Sequence, residues 1–437
     1  MPEEVVQIID SLHREGFEGY AVGGCVRDMV LGVEPKDWDI ATDAKPWEVK
    51  EIFAETIDTG IKHGTVTVVI NGKKFEVTTY RSDGRYSDNR HPDNVEFTPS
   101  LEEDLCRRDF TMNAIAYNHI RGFFDPLNGK RDIKRKTIRA VGIPDIRFRE
   151  DALRMLRAVR FSAEKDFSID KGTADSIAKN SSLIKNVSWE RIRDELNRLL
   201  VSPNPLKFIL LRDTGLLQHI MPEFEILFHV EQNNPHHVYN VGIHTLYAMA
   251  NIENDLVLRW TMLLHDIGKP STKTTDGYGV DHFYGHPEKS EEIARIILSR
   301  LKFDNKTLKE ILHLIRHHDR NIGTNENSVR KAVAVIGEHL FEKYLKIREA
   351  DISAQSPDFY ESSMAKLKKV TQIYNEIKDE SCFSLKGLKV NGDDLIAAGF
   401  RQGKEIGVVL NRLMEIVLEN PSLNNRETLL EIARELI

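Results

Sequence analysis

The chain has 437 residues, of which 41% are hydrophobic and 30% charged, and its formal net charge is −7. At roughly 100–200 residues per domain this length predicts two to four domains, and the apolar content excludes global disorder. We expect no membrane-spanning helix, because no run of about eighteen uncharged apolar residues occurs. The acidic amphipathic start does not resemble a signal peptide, and three widely separated cysteines predict a reducing, cytoplasmic location.

The net charge alone disfavours a nucleic-acid partner, because phosphate binding normally requires a surplus of Lys and Arg. The charge is uneven, however. Residues 130–165 contain twelve Lys or Arg and five Asp or Glu, a net charge of +7, so the other 401 residues carry −14. Arginines in this segment recur every three residues, which predicts a basic stripe along one helix.

The first 120 or so residues mix helix and strand signals. Apolar residues between Val5 and Leu12 follow helical spacing, and residues 20–24 predict a short strand that enters a glycine turn. Residues 65–80 alternate around Asn71-Gly72, a strong hairpin signal that pairs Val66 with Val77 and Val68 with Phe75.

Strand signals fade after about residue 145. We predict helices over 150–164, 188–201, 205–212, 240–252, 254–265, 287–302, 305–318, 328–336, 339–352, 360–378 and 403–419. The fold class is therefore α+β, with a mixed α/β head containing a small, mainly antiparallel sheet, followed by an elongated all-α body. We predict a head (1–140), a neck (141–225), a histidine-rich domain (226–355) and a tail (356–437).

Two carboxylates and a glycine turn mark the head. Asp37 and Asp39 are two apart on a predicted strand, which places both on one face, where they could hold Mg²⁺ with substrate phosphates. Glu76 lies opposite the apolar face of the hairpin and is a candidate third carboxylate. The alternatives are a solvated turn for the aspartates and an ordinary exposed strand residue for Glu76.

A second constellation begins at Glu150-Asp151 and continues through Arg154, Arg157 and Arg160 on one predicted helix stripe. Asp only accepts hydrogen bonds and Arg only donates them. Cytosine and adenine present an amino donor beside a ring-nitrogen acceptor, whereas uracil and guanine present the reverse order. A fixed Asp151/Arg154 pair therefore suits C and A, and Arg157 and Arg160 suit a triphosphate. The alternative is a surface salt bridge.

Four segments carry a family resemblance: GGCVRDMVLGVEPKDWDIAT, HGTVTVVINGKKFEVTTYR, RRDFTMNAIAY and REDALRMLRAVRF. In order and spacing they resemble the motifs of bacterial class II tRNA nucleotidyltransferases, the CCA-adding enzymes, whose head belongs to the polymerase-β-like superfamily. The resemblance runs over roughly residues 18–200. It implies that Asp37 and Asp39 bind the Mg²⁺ ions of a two-metal site and that the EDxxR segment selects the base. The nucleotide contacts that it implies are Gly24, Arg27, Arg108, Asp109 and Asn113.

The polar segment 81–106 contains Arg81, Arg85, Asp88 and Arg90. In the family a flexible loop here helps the pocket to change from CTP to ATP, and relatives that add only CC lack it. The full-length segment in this chain disfavours CC-only addition and leaves A-only addition open.

Ten of the sixteen histidines fall within residues 229–318, where even scatter would place about three. Six residues follow the order H…HD…H…H…D of the HD metal-dependent phosphohydrolases, which this segment resembles: His244, His265, Asp266, His286, His317 and Asp351. They predict a second divalent-metal site, with the choice between His317 and His318 open.

The last segment is similar to the tail of the same nucleotidyltransferases. Its candidate tRNA contacts are Lys386, Lys389, Arg401 and Lys404, and the alternative is an ordinary packed helical hairpin. The predicted function is addition or repair of the 3′-terminal CCA of tRNA from CTP and ATP. The alternatives are an A-adding enzyme or poly(A) polymerase of the same family, and an HD phosphohydrolase with a nucleotide-sensing head.

Overall fold

The computed structural model describes residues 1–83, 95–379 and 382–436, which form two compact units, Met1–Pro222 and Glu223–Ile437. The first unit begins with alternating helices and strands and ends in helices. Its elements are α1 (Glu3–Arg14), β1 (Gly19–Val22), α2 (Gly24–Val30), β2 (Asp39–Thr42), α3 (Pro46–Ile52), β3 (Thr56–Gly60), β4 (Thr65–Ile70), β5 (Lys73–Thr79), β6 (Arg81–Asp83), β7 (Val95–Phe97), α4 (Leu101–Cys106), β8 (Ala116–Asn118), β9 (Gly122–Phe124), α5 (Gly129–Lys134), β10 (Thr137–Ile138), α6 (Pro144–Glu150), α7 (Leu153–Lys165), β11 (Ser168–Ile169), α8 (Lys171–Asn180), α9 (Trp189–Leu200), α10 (Ile209–Asp213) and α11 (Leu217–Ile220).

A mixed, mainly antiparallel sheet positions the site in the first unit. Its strand order is β3-β4-β5-β2-β1-β8-β9, and β2–β5 is the parallel pair. The expected mixed head with a mainly antiparallel sheet, followed by helices, is confirmed. The parallel pairing sets Asp39 on β2 directly beside Glu76 on β5. Two of the predicted acidic residues are therefore neighbours on adjacent strands.

The predicted hairpin forms in the predicted register. Asn71 and Gly72 both have positive φ, 53° and 74°, as a two-residue type I′ turn requires. Val66 then pairs with Val77, and Val68 with Phe75. All four apolar side chains are buried, and Glu76 is exposed.

The helix predicted over 150–164 is divided, which corrects the expectation of one continuous stripe. Helix α6 ends at Glu150, Asp151 is extended with φ −141° and ψ 104°, and α7 begins at Leu153. Only Arg154, Arg157 and Arg160 therefore share one helix. The segment contains no Gly or Pro that would have signalled the break.

The second unit is helical apart from one short strand pair, within the residues that the structure describes. Its elements are α12 (Pro222–Glu225), which starts at the boundary, α13 (Val241–Asn251), α14 (Leu256–Leu264), α15 (Lys269–Thr272), β12 (Thr274–Thr275), β13 (Asp281–His282), α16 (His286–Arg300), α17 (Asn305–His317), α18 (Glu326–Ile336), α19 (Glu338–Ser353), α20 (Pro357–Ile377), α21 (Gly392–Ala397), α22 (Lys404–Glu419) and α23 (Arg426–Glu435). In the described ranges, no helix combines the length and apolar character needed to cross a membrane.

Candidate active site

An acidic edge is formed by Asp37, Asp39 and Glu76. Asp39 begins β2, but Asp37 lies in the bend before the strand, so the two do not share a strand as predicted. Desolvation by neighbouring atoms, together with the carboxylates of Glu76 and Asp37, raises the pKa of Asp39 against the opposing effect of Arg108. A bound cation would relieve the electrostatic repulsion among these three carboxylates.

The glycine turn before α2 brings Arg108 to this edge. Gly23 has φ 78° and ψ −129°, a conformation that residues with a Cβ rarely adopt. A Cβ at this position would also lie 2.9 Å from Nη1 of Arg108. The Arg108 Nη2 group donates to Asp104 at 3.0 Å, which fixes the guanidinium beside the turn. Gly23 is therefore required by the backbone conformation, and a side chain at this position would displace the guanidinium of Arg108.

A buried hydrogen-bonded chain connects α2 with α7. Arg27 donates from Nη1 to Oδ1 of Asn113 at 2.7 Å, and Asn113 donates to Oδ1 of Asp109 at 3.0 Å. Arg157 donates from Nε and Nη2 to Oδ2 of Asp109 at 2.9 and 2.6 Å. Burial would raise the pKa of Asp109, but the Arg157 charge and the hydrogen bonds lower it to about 2. Four predicted nucleotide contacts therefore form one ionised network.

Phe161 on α7 lies among three guanidinium groups. The groups of Arg27 and Arg157 are each 5.3 Å from the ring centroid, and that of Arg160 is 3.9 Å away. Arg160 is 1% exposed and binds Glu164, with Nη1 to Oε2 at 2.8 Å, and Glu195. The prediction that Arg160 binds a triphosphate is thus corrected, because its donors are directed to these two carboxylates.

Asp151 and Arg154, the pair predicted to select the base, have partners that the sequence did not predict. Asp151 contacts Arg191 rather than Arg154, with Oδ2 accepting from Nη2 at 2.8 Å and Oδ1 from Nη1 at 3.3 Å. Arg154 donates to Oε2 of Glu150 at 2.8 Å and to the carbonyl oxygen of Arg107 at 3.0 Å. The two side chains are therefore fixed by separate partners, and the hydrogen bond between the residues is a backbone one, from the amide of Arg154 to the carbonyl oxygen of Asp151 at 3.0 Å.

A cavity of about 350 Å³ joins these groups. It is lined by Gly23, Gly24, Arg27, Asp39, Arg107, Arg108, Asp109, Asn113, Asp151, Arg154, Arg157, Phe161 and Arg191. The sequence prediction omitted Arg107, Phe161 and Arg191. Arg107 adjoins Arg108 and could have been found from its position, whereas Arg191 is forty residues from Asp151 and no local pattern connects them.

Part of the predicted loop lies outside the described residues, including Arg85, Asp88 and Arg90. Arg81 is described, and its Nη1 donates to the carbonyl oxygen of His63 at 2.9 Å. In the second unit, the four predicted tail contacts Lys386, Lys389, Arg401 and Lys404 are exposed, and their role in tRNA binding stays a prediction.

Four buried histidines of the second unit converge on two aspartates. Each histidine directs Nδ1 at a backbone carbonyl oxygen: His244 at Ala354 (3.1 Å), His265 at Met262 (2.7 Å), His286 at Phe283 (2.8 Å) and His318 at Ile315 (2.7 Å). Because a carbonyl oxygen only accepts, Nδ1 of each ring carries a proton, and Nε2 is the ring atom left to face the carboxylates or a cation.

The Nε2 atoms face the carboxylates of Asp266 and Asp351. His244 Nε2 is 3.0 Å from Oδ1 of Asp351, and His265 Nε2 is 3.2 Å from Oδ2 of Asp266. The Nε2 atoms of His286 and His318 are only 3.1 Å apart. Burial lowers the pKa of His286 to about 4, which favours a neutral ring whose Nε2 could bind a cation.

This cluster settles which of the adjacent histidines faces Asp266. Ligand atoms of Asp266, His286 and His318 lie within 4.8 Å of one another, as do those of His244, His265 and Asp266. His317 instead packs its ring against His313 at a centroid distance of 4.7 Å. The choice of His317 is therefore corrected to His318, because α17 buries that side of its last turn. Among the described residues, the acidic edge of the first unit forms no comparably close group.

Family models match most of the chain. Residues 19–139 match the "Poly A polymerase head domain", 166–227 match the "Probable RNA and SrmB- binding site of polymerase A", and 285–433 match the second domain of tRNA nucleotidyltransferases. Together with the sheet and its acidic edge, these matches define a nucleotidyltransferase.

Relatives narrow this class to one family. The CCA-adding enzyme of Ligilactobacillus salivarius is 34% identical over 446 residues, covering 100% of this chain and 96% of the relative. That of Geobacillus kaustophilus is 49% identical over 219 residues, covering 50% of this chain and 54% of the relative. A crystal structure of the Bacillus stearothermophilus CCA-adding enzyme with CTP aligns with a TM-score of 0.74 and 30% identity, covering 100% and 98% of the two chains. The chain belongs to the CCA-adding enzymes.

The buried Asp109 ion pair predicts a pH-dependent loss of stability. Replacing Asp109 with Asn removes the closest carboxylate from Arg157 and leaves Glu195 3.8 Å away, which should cost about 1–3 kcal/mol of unfolding free energy near neutral pH. Because the folded-state pKa of Asp109 is depressed to about 2, its contribution is complete above pH ~4 and is lost as the pH falls through 2.

Urea denaturation at several pH values measures this contribution. The difference between the wild type and Asp109→Asn should shrink as the pH falls below ~4. Asp175→Asn, at an exposed position on α8, is the control and should change little at any pH. A difference for Asp109→Asn that stays constant down to acid pH would contradict the assignment.

Proposed function

We propose that the chain adds or repairs the 3′-terminal CCA of tRNA from CTP and ATP, without a nucleic-acid template, and releases pyrophosphate. The observation that carries this proposal is the cavity of the first unit, in which Asp39 of the acidic edge, a set of arginines and the Asp151 and Arg154 side chains face one space. The CCA-adding relative that covers the whole chain and the CTP complex of the Bacillus enzyme support these substrates.

The acidic edge fits divalent metal. Asp37 and Asp39 supply the hard oxygen ligands that Mg²⁺ prefers, and Glu76 adds a third negative charge beside them. When bound, two Mg²⁺ ions would favour ionisation of the attacking 3′-hydroxyl and neutralise the departing pyrophosphate. Arg27, Arg108 and Arg157 line the cavity, where they would present positive charge to the phosphates of the nucleotide.

Base selection follows from hydrogen-bond polarity. The Asp151 carboxylate accepts from the amino group of C or A, and Arg154 donates to the adjacent ring nitrogen. UTP and GTP offer the reversed order, which leaves groups of the cavity unpaired, at ~1–3 kcal/mol for each one. The separate partners Arg191 and Glu150 leave both side chains in the cavity wall.

Nucleotide incorporation tests this proposal. With tRNA lacking CCA, CTP and ATP together should give complete CCA ends, and Asp39→Asn should lower the rate by at least about a thousandfold, because the metal loses a charged ligand. Glu51→Gln changes an exposed carboxylate on α3 and serves as the control, with a near-normal rate.

Two outcomes would contradict the proposal in different ways. Incorporation of A alone, and only onto tRNA ending in CC, would identify an A-adding enzyme. Near-normal turnover by a folded Asp39→Asn variant would remove the metal role of the acidic edge.

We propose a second activity, metal-dependent hydrolysis of phosphate esters, for the histidine cluster. Four histidine Nε2 atoms and two carboxylates form a donor set that fits a divalent transition metal, and the Nδ1 atom of each ring donates to a backbone carbonyl oxygen. The four-part division of the chain, tRNA binding by the tail and a cytoplasmic location also stay predictions.

The neighbouring histidines offer a matched test of the second site. His318→Ala should weaken Zn²⁺ affinity by at least about tenfold, because it removes a group in the cluster. His317→Ala, on the other side of the same helix end, should keep wild-type affinity. Metal content after equilibration with Zn²⁺, measured by mass spectrometry, distinguishes them. Equal metal in both variants and the wild type would refute this site.

A further inference from the structure

We infer that Arg191 is a specificity-determining positioning residue, which acts by holding the Asp151 carboxylate in the orientation that accepts C and A. This inference rests on the proposed base selection and adds a residue to it. The contact that carries it is the two-point pairing of Arg191 Nη2 with Asp151 Oδ2 at 2.8 Å and of Nη1 with Oδ1 at 3.3 Å.

Asp151 needs such a partner because its backbone does not lie on a helix. It follows the end of α6 and precedes α7, in an extended conformation. Among the described residues, its carboxylate accepts one backbone hydrogen bond, from the amide of Leu153 to Oδ1 at 3.1 Å, and Oδ2 accepts from Arg191. Without the guanidinium, the carboxylate is free to turn about its side-chain bonds.

The backbone of Arg191 is itself held in place by the packing of its helix. It lies on α9, a helix that buries Ile192, Leu196 and Leu199. One turn further along, Glu195 binds Arg160 and lies 3.8 Å from Nη1 of Arg157. Arg191 and Glu195, one turn apart on α9, therefore contact Asp151 and the arginines of α7, respectively.

The position of Arg191 also differs from that of an arginine in a purely structural ion pair. Its side chain lines the cavity and is 25% exposed, so it borders the space that a base would occupy. In the described part of the chain, the hydrogen-bond partner of its guanidinium is Asp151 alone. A planar, two-donor group fixes both oxygens of a carboxylate, whereas the single ammonium of Lys does not.

Incorporation of each nucleotide onto tRNA lacking CCA tests this role. We expect Arg191→Ala to lower the ratio of kcat/KM for CTP to that for UTP by about tenfold or more, since one unpaired group in the site discriminates to that extent. Arg191→Lys should retain part of the selectivity. Arg193→Ala changes a neighbouring arginine of α9 that pairs with Asp194, and should keep the wild-type ratio.

Combination with Asp151→Ala separates the possible failures. If Arg191 acts through Asp151, adding Arg191→Ala to Asp151→Ala should not change the ratio further. An Arg191→Ala variant that is slower with every nucleotide but equally selective, beside a relaxed Asp151→Ala variant, would overturn this inference alone. An Asp151→Ala variant with unchanged selectivity would instead overturn the proposed base selection.

Discussion

The nucleotide site depends on one buried carboxylate, that of Asp109. It is 9% exposed and accepts hydrogen bonds from Asn113 and Arg157, and Asn113 in turn fixes Arg27. A buried charge is tolerated only when it is paired, so Asp109 determines the position of Arg157 on α7 relative to the glycine turn. The parts of the cavity that we propose bind phosphate and select the base are consequently connected through Asp109.

The pairing of charged groups also explains how a chain with a net charge of −7 can bind polyanions. Six arginines line the cavity, and several are oriented by acidic partners: Arg107 and Arg108 by Asp104, and Arg154 by Glu150. These pairs reduce the net charge without removing the donors from the cavity wall. The overall charge therefore bears on solubility, while binding depends on local arrangement.

Local patterns predicted the parts of the fold that local chemistry determines. Asn71-Gly72 set the hairpin and its register, and helical spacing located the main helices of the second unit. Contacts between distant residues were not predictable: the break at Asp151, its pairing with Arg191 and the burial of Arg160 against Glu195 all depend on how α7 packs on α9. Adjacent His317 and His318 differ by about 100° around the helix, so packing decides which one enters the cluster.

The central claim is that protein side chains alone choose the nucleotide. Calorimetric titration of the RNA-free protein with CTP, ATP, UTP and GTP in Mg²⁺ tests it most directly. CTP and ATP should bind at least about tenfold more tightly than UTP and GTP, because Asp151 and Arg154 face the cavity before any RNA is present. Equal affinity for all four nucleotides would contradict the account and assign selection to the RNA.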